Sequence, residues 1–177
     1  MNKYLKVFLA LGISSGVGAG LLTYLLLGID AGIFMGLRFG VLYSLIMTIY
    51  FFFLIKRKGL SDEETQVHQI CEIELSLPYD EAFRLCLKSL DLFKKHKIKE
   101  NNFSQGKIVV EIRITSTFFG IIVISFYIAR ISSSKTHIKI SSKPKIPTAL
   151  IDLGANYNTV KKIEQFLKEN EVCSEDL

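Results

Sequence analysis

The sequence has few of the residues that build metal centres, disulfides and nucleophilic active sites. It contains three cysteines and three histidines, with no C-x-x-C pair and no metal-ligand spacing among them. Glycine-rich phosphate-binding loops and the G-x-S-x-G turn of hydrolases are also missing. We therefore expect no cofactor, no metal and no enzymatic activity, with Cys71 and Cys86 as core residues.

Acidic residues are nearly absent from the first third of the chain. Residues 1–60 hold six Lys or Arg against the single acid Asp30, whereas the remaining 117 residues hold 16 basic and 16 acidic side chains. The formal net charge of +5 therefore belongs to the N-terminal segment, and the rest of the chain is neutral. A nucleic-acid-binding domain would be basic itself, so we expect no nucleic-acid partner.

Two long apolar runs dominate the N-terminal segment. Residues 7–29 carry no charge and residues 31–55 carry one, Arg38. Because about 20 apolar residues span a bilayer as a helix, these runs predict two membrane helices joined by a very short turn. The predicted organisation is a hairpin at 1–58 (helices at about 5–28 and 31–55), a linker at 59–66, a soluble domain at 67–172 and a tail at 173–177.

Basic residues flank this hairpin on one side only. Lys3 and Lys6 precede the first run, residues 56–58 are all basic, and the turn has no Lys or Arg. Basic flanks stay on the cytoplasmic side, so both termini of a multi-pass protein of the cytoplasmic membrane are predicted there. A cleaved signal peptide is the alternative, but the first run is too long and a second follows at once.

Glycines recur at every fourth position in both predicted helices. Small residues at this spacing form a flat ridge along which two helices approach closely. Folding the chain near residue 30 brings the two ridges face to face, which favours a hairpin within one chain over the alternative of a homodimer. The ridges consist of Gly12, Gly16 and Gly20 in the first helix and Gly32, Gly36 and Gly40 in the second.

Arg38 is the one ionisable residue inside the predicted spans. Its angular position on the helix points away from the glycine ridge, and it lies only about six residues from the outer end. Snorkelling of its long stem to the headgroups is the favoured interpretation. Contact with a partner helix or an anionic lipid, and a transport role, are the alternatives.

The rest of the chain predicts an α+β domain with the order β-α-β-β-β-α. The strands form an antiparallel sheet with two helices on one face. Residues 98–103 are a candidate for a short extra strand. The predicted strands lie at 70–77, 108–114, 118–129 and 135–140, and the predicted helices at 79–97 and from 158 or 159 to 170.

Two segments of this domain have a functional interpretation beside the structural one. The basic stretch at 94–99 either complements a helix dipole or binds lipid headgroups. The run at 118–129 is apolar on both faces, so one face touches a packed helix, a ligand cavity, the bilayer or another subunit. Its candidate contact residues are Ile122, Ile124, Phe126 and Ile128.

A polar loop precedes the last helix, with Ser142 before it and Asp152, Gly154 and Asn156 within it. These side chains either satisfy backbone donors in a turn or line a small polar pocket. With Ile163, Phe166 and Leu167, the loop resembles a family of small, mostly bacterial uncharacterised domains that end in S-x-S/P, D-x-G-x-N and I-x-x-F-L.

A weaker resemblance covers the start of the domain. The strand, the helix opening at residues 79–83 and the strand opening at 106–108 are similar to the α/β modules of the C lipoprotein in the outer-membrane assembly machine. Neither resemblance implies an activity.

Two functions fit these observations. The first is a non-catalytic membrane-anchored protein that binds a partner protein, or a second copy of itself, and scaffolds a complex through its cytoplasmic domain. The alternative is binding of a lipid or a small apolar ligand at the membrane surface. The bilayer itself is a partner in both.

Overall fold

The computed structural model describes residues 3–114, 120–146 and 152–172. The chain divides into two compact units, Met1–Ser61 and Asp62–Leu177. The predicted tail and the beginning of the predicted strand at 118–129 lie outside the described residues.

The first unit is a pair of helices separated by one residue. Helix α1 is Lys3–Leu27 and helix α2 is Ile29–Lys58. Gly28 between them has φ of 94°, a conformation that a residue with a Cβ rarely adopts, so the chain reverses there without a longer loop. Both helices are long and apolar enough to cross a membrane.

The two glycine ridges form the seam between α1 and α2. A methyl group added to Gly36 would lie 2.8 Å from the carbonyl oxygen of Gly16, and one added to Gly40 would lie 2.7 Å from that of Gly12. Such distances leave no room for a Cβ, so the backbones themselves are in contact. Ser44 continues the ridge opposite Gly12 and is fully buried. Both ridges are thus used within one chain.

The second unit contains a five-stranded antiparallel sheet in the order β1-β5-β4-β3-β2. The α+β class and the antiparallel sheet are as predicted, but the predicted strand count is wrong, because the candidate extra strand is a full edge strand. The strands are β1 (Gln69–Leu75), β2 (His96–Asn102), β3 (Lys107–Arg113), β4 (Ile121–Arg130) and β5 (Thr136–Pro144).

Helix α3, Tyr79–Lys88, ends nine residues before its predicted end at residue 97. A 3-10 turn, Ser89–Leu92, follows it, and Phe93 is already extended. The buried hydroxyl of Ser89 donates to the Cys86 carbonyl oxygen at 2.7 Å and so joins this turn to the end of α3. The basic stretch after it therefore does not cap a helix; most of it forms β2.

Helix α4, Ala155–Val172, packs with α3 on one face of the sheet. Their apolar stripes include Phe83 and Cys86 from α3 and Ile163 and Leu167 from α4, all 4% exposed or less. The buried strand positions alternate along the strands, as a half-covered sheet requires. Burial raises the pKa of the Cys86 thiol well above its ordinary value, so this cysteine is a core residue.

We predict that Gly36→Ala weakens the α1–α2 seam, whereas Gly18→Ala does not. Nothing lies within 4 Å of a methyl group at Gly18, so the two variants share the gain in helix propensity and differ in the clash. We expect Gly36→Ala to lose about 1–3 kcal/mol of helix association relative to Gly18→Ala. SDS titration of the detergent-solubilised chain, with resonance energy transfer between labels on the two helices, measures this. Equal midpoints for the two variants would contradict the close packing.

Candidate functional site

The polar residues predicted around the last loop do lie together. Ser142 is fully buried, and its hydroxyl donates to Oδ1 of Asn156 at 2.7 Å. The Asn156 amide, on a side chain only 2% exposed, donates to the carbonyl oxygen of Val67 at 3.0 Å. The pair therefore joins β5, α4 and the segment before β1.

Asp152 closes the N-terminus of α4. Its carboxylate accepts hydrogen bonds from the backbone N–H groups of Ala155 at 3.1 Å and Asn156 at 2.5 Å. Gly154, with φ of 86°, turns the chain between them. The Asp152 N–H itself donates to the carbonyl oxygen of Thr65 at 3.3 Å.

The surroundings of Asp152 act on its carboxyl in opposite directions. Burial raises the pKa of Asp152 above its ordinary value, while the backbone N–H groups pull that pKa down. The capping bonds satisfy donors that would otherwise be unpaired at the start of the helix. This network of Ser142, Asp152 and Asn156 holds residues 65–67 against the rest of the domain. Its polar atoms bond to one another and to backbone groups, which is the geometry of a structural hydrogen-bond network.

The predicted apolar contact strand is wrong as a contact surface. Ile122, Ile124, Phe126 and Ile128 are between 0 and 5% exposed and belong to the core beneath α3 and α4. The sequence pattern shows two apolar faces of this strand but not which one the helices cover. The other face of β4 carries half-buried Val123 and the 46% exposed Tyr127.

Arg38 lies on α2 with its guanidinium carbon 4.0 Å from the centroid of the Phe34 ring. Phe34 is one helical turn closer to the hairpin turn, so the Arg38 side chain is directed toward that end of α2. A guanidinium stacked on an aromatic face is stabilised by the ring quadrupole. This is the direction that snorkelling requires.

A cleft of about 420 Å³ opens where the 3-10 turn, the end of β3 and the first turns of α4 meet. Four apolar side chains line it: Leu92, Phe93, Ile112 and Ile114. Ile112 is 1% exposed and forms part of the core, whereas Leu92 is 45% exposed at the mouth. Ala155, Asn158 and Thr159 of α4 form the opposite wall.

Four cationic residues border this cleft: Lys94, Lys95, Arg113 and Lys162. Lys162 shares a face of α4 with Ala155, Asn158 and Thr159, so its side chain lies at the cleft. Arg113 pairs with Ile121 on the sheet face that α3 and α4 leave open, and its N–H donates to the Lys95 carbonyl oxygen at 3.0 Å. Because neighbouring paired residues share a face, the side chains of Arg113 and Lys95 point to that open face and not into the cleft.

The basic stretch in the sequence includes Lys94 and Lys95, but no local signal marks Lys162 as a residue of the cleft. Lys162 borders the cleft only because the fold packs α4 beside the 3-10 turn and the end of β3. Across residues 3–114, 120–146 and 152–172, no three His, Cys, Asp or Glu side chains are grouped to hold a metal ion. The cleft is the place where polar, charged and apolar groups converge.

No family model and no curated protein matches this sequence, so the resemblances described above remain predictions. Among solved structures, an uncharacterised protein from Bacillus thuringiensis shares 11% identity over 59% of this chain and 98% of its own, with a TM-score of 0.44. The protein XoxI from Bacillus cereus shares 9% identity over 62% of this chain and 99% of its own, also with a TM-score of 0.44.

Norcoclaurine synthase from Thalictrum flavum is similar at 15% identity over 60% of this chain and 89% of its own, with a TM-score of 0.30. Aromatase/cyclases are also among the similar structures. The absence of catalytic motifs led to the expectation that the protein has no enzymatic activity. This expectation is corrected, because the similar structures include enzymes. With TM-scores below 0.5, none of them assigns an activity to this chain.

We predict that Asn156→Ala destabilises the second unit while Asn158→Ala, two residues along the same helix, does not. The first variant removes the partner of both the Ser142 hydroxyl and the Val67 carbonyl, which should cost about 1–3 kcal/mol. Asn158 is exposed, so its replacement should stay within about 0.5 kcal/mol. Pulse proteolysis of the full chain in urea and detergent measures both. Equal unfolding midpoints would show that the network does not hold the segment before β1.

Proposed function

We propose that this chain is a membrane-anchored protein whose α+β domain binds an amphipathic ligand in the cleft beside α4. The observation that carries the proposal is the combination of apolar side chains with a lysine, Lys162, at the border of one cleft of about 420 Å³. Ligand sites in proteins have volumes of roughly 300–1,000 Å³ and combine apolar walls with a few placed polar groups.

The surface of the hairpin supports a membrane anchor. Outward-facing side chains such as Leu25, Leu26 and Leu27 are 72–74% exposed, and large apolar side chains are exposed along both helices. An exposed apolar surface of this extent is unfavourable in water by about 25 cal/mol for each Å². A bilayer covers it, and the glycine seam closes the side where α1 and α2 meet.

The distribution of charge supports an orientation with both ends of the hairpin in the cytoplasm. The last turn of α2 contains Lys56, Arg57 and Lys58, whereas its first turn contains only Asp30. The positive-inside bias then places the turn at Gly28 on the outer side. In this topology the α+β domain is cytoplasmic.

A second proposal, partner-protein binding, is favoured by the sheet face that α3 and α4 leave open. Along β4 this face presents Ile121, Val123 and Tyr127, with Val109 beside them on β3. Ion pairs such as Lys139–Glu72 at 2.7 Å border this apolar row. An apolar centre with a polar border is the usual composition of a protein interface.

We predict opposite accessibility for cysteines introduced at the turn and after α2. In a chain whose native cysteines are replaced by serine, Asp30→Cys should react with a membrane-impermeant maleimide in intact cells. Glu63→Cys should react only after permeabilisation, because it follows the basic flank. Gel shift of the labelled protein measures both. Reaction of both positions, or of neither, in intact cells would contradict the hairpin topology.

We predict that a phospholipid with a photoreactive acyl chain labels the cleft of the full chain in vesicles. Adducts mapped by mass spectrometry should include Leu92, Phe93 or Ile114, in addition to the hairpin, which labels in any case. Asn158→Phe should lower labelling of the cleft several-fold, because the ring occupies the cleft. Gln165→Phe, on α4 outside the cleft, is the matched control. Adducts confined to the hairpin would refute ligand binding by the domain.

A further inference from the structure

We propose that the sheet face that α3 and α4 leave open docks on the anionic surface of the bilayer in which the hairpin is anchored. This surface, here called the open face, consists of the strand residues that point away from the helices, such as Arg113 on β3 and Val123 and Tyr127 on β4. The inference goes beyond ligand binding in the cleft, but it rests on the proposed membrane anchor. It is carried by the charge of the open face.

The strand register assigns charged side chains to the open face. Side chains alternate between the two faces along a strand, and paired residues of neighbouring strands share a face. Glu111 pairs with Val123 on one side and with Lys97 on the other, so all three side chains lie on the open face. Ion pairs place two more cations there, because Lys99 and Lys145 contact the Glu111 carboxylate at 3.4 and 2.9 Å.

Among the described residues, the open face has nine basic and four acidic side chains, which leaves a net charge of +5. The cations at β2 and β3 are Lys95, Lys97, Lys99, Lys107 and Arg113. The cations at β5 are Lys135, Lys139, Lys143 and Lys145. The acids are Glu72, Glu74, Glu100 and Glu111.

The helix side of the domain has no such excess. Residues 76–94 hold three basic and three acidic side chains, and residues 152–172 together with Arg130 hold four of each. Arg130 counts with the helices because its guanidinium lies over the ring of Tyr79. The acids that balance the open face lie elsewhere in the sequence, at 62–64 and 175–176. The domain is therefore neutral as a whole, but its excess of positive charge is confined to one face of the sheet.

The kind of cation favours lipid headgroups as the occupant. Eight of the nine cations on the open face are lysines, and Arg113 is the ninth. Protein interfaces are depleted in lysine, whose ammonium group is strongly hydrated. A layer of anionic headgroups leaves that group hydrated and attracts it as a point charge. The composition of the open face therefore favours a bilayer over the partner protein of the second proposal.

The apolar side chains of the open face suit a surface contact. Ile70 and Tyr127 are 51% and 46% exposed, whereas Val109, Ile121 and Val123 are half-buried. Tyrosine is enriched where a membrane meets water, because its ring is apolar and its hydroxyl is polar. Charged residues stand between these side chains, so the face lies on the headgroups instead of inserting among the acyl chains. Such a contact depends on charge and weakens in salt.

The chain connection favours the bilayer that holds the hairpin. Ten residues join Lys58, at the end of α2, to Gln69, at the start of β1. A surface that is linked to its binding site by a short segment acts at a high effective concentration, so individually weak contacts suffice. The cytoplasmic leaflet is negatively charged and attracts basic protein segments beside the membrane.

The test places a fluorescent label on either side of the domain in the full chain. In a chain whose native cysteines are replaced by serine, Ala129→Cys carries the label on the open face and Gln165→Cys carries it on α4, both at exposed positions. The chain is reconstituted in vesicles of phosphatidylcholine, alone or mixed with phosphatidylglycerol. A trace of lipid with a nitroxide on its headgroup quenches a label that touches the membrane surface.

We expect stronger quenching at residue 129 than at residue 165 when phosphatidylglycerol is present. The difference should disappear in phosphatidylcholine alone and in about 1 M salt, where the Debye length is about 3 Å. Lys97→Glu/Lys143→Glu lowers the charge of the open face by four and should lower the docked fraction about tenfold or more. Arg84→Glu/Lys88→Glu makes the same change at exposed positions of α3 and should keep the difference.

Four results would overturn the inference while leaving the anchor intact. Equal quenching at both positions would show that no face is preferred, and stronger quenching at residue 165 would turn the helix side to the membrane. A preference for residue 129 that survives in phosphatidylcholine or in the open-face variant would show that charge does not cause it. No quenching at either position would leave the open face to a partner protein. Extraction of the chain from the vesicles by alkaline carbonate would instead overturn the anchor, and the inference with it.

Discussion

The start of α4 is the constraint on which the arrangement of the second unit depends. The Asp152 carboxylate pairs with the first N–H groups of the helix, so α4 begins at Ala155 rather than a turn later. A helix that begins there places Ile163 and Leu167 over the sheet and Thr159 and Lys162 on the cleft. Core, cleft and the segment before β1 all take their positions from this cap.

The same first turn serves two neighbours of different chemistry. One side of it holds the segment before β1, through Asn156 and the Val67 carbonyl oxygen. The other side forms a wall of the cleft. The hydrogen-bond network around Asn156 is buried and its polar atoms are paired, whereas the cleft is open and has Lys162 at its border. A buried polar network contributes specificity only when every member is satisfied, as Ser142, Asn156 and Asp152 are here.

Local pattern predicted a large part of the fold. The length of the two apolar runs indicated the two helices of the hairpin, and the spacing of their glycines indicated which helix faces meet. Both properties belong to a single segment, so the sequence alone shows them. Alternation indicated strands β1, β3, β4 and β5. The missed features depend on where α3 ends, which local pattern does not show: after Lys88 the chain enters a 3-10 turn instead of continuing the helix. The residues released by that early end pair with β3 as the edge strand β2.

The cleft could not be predicted for a related reason. Leu92, Ile114 and Lys162 are distant in sequence, and each alone has the pattern of an ordinary core or surface residue. They border one cleft because the fold brings the 3-10 turn, the end of β3 and the first turns of α4 together, which no pattern along a single segment shows.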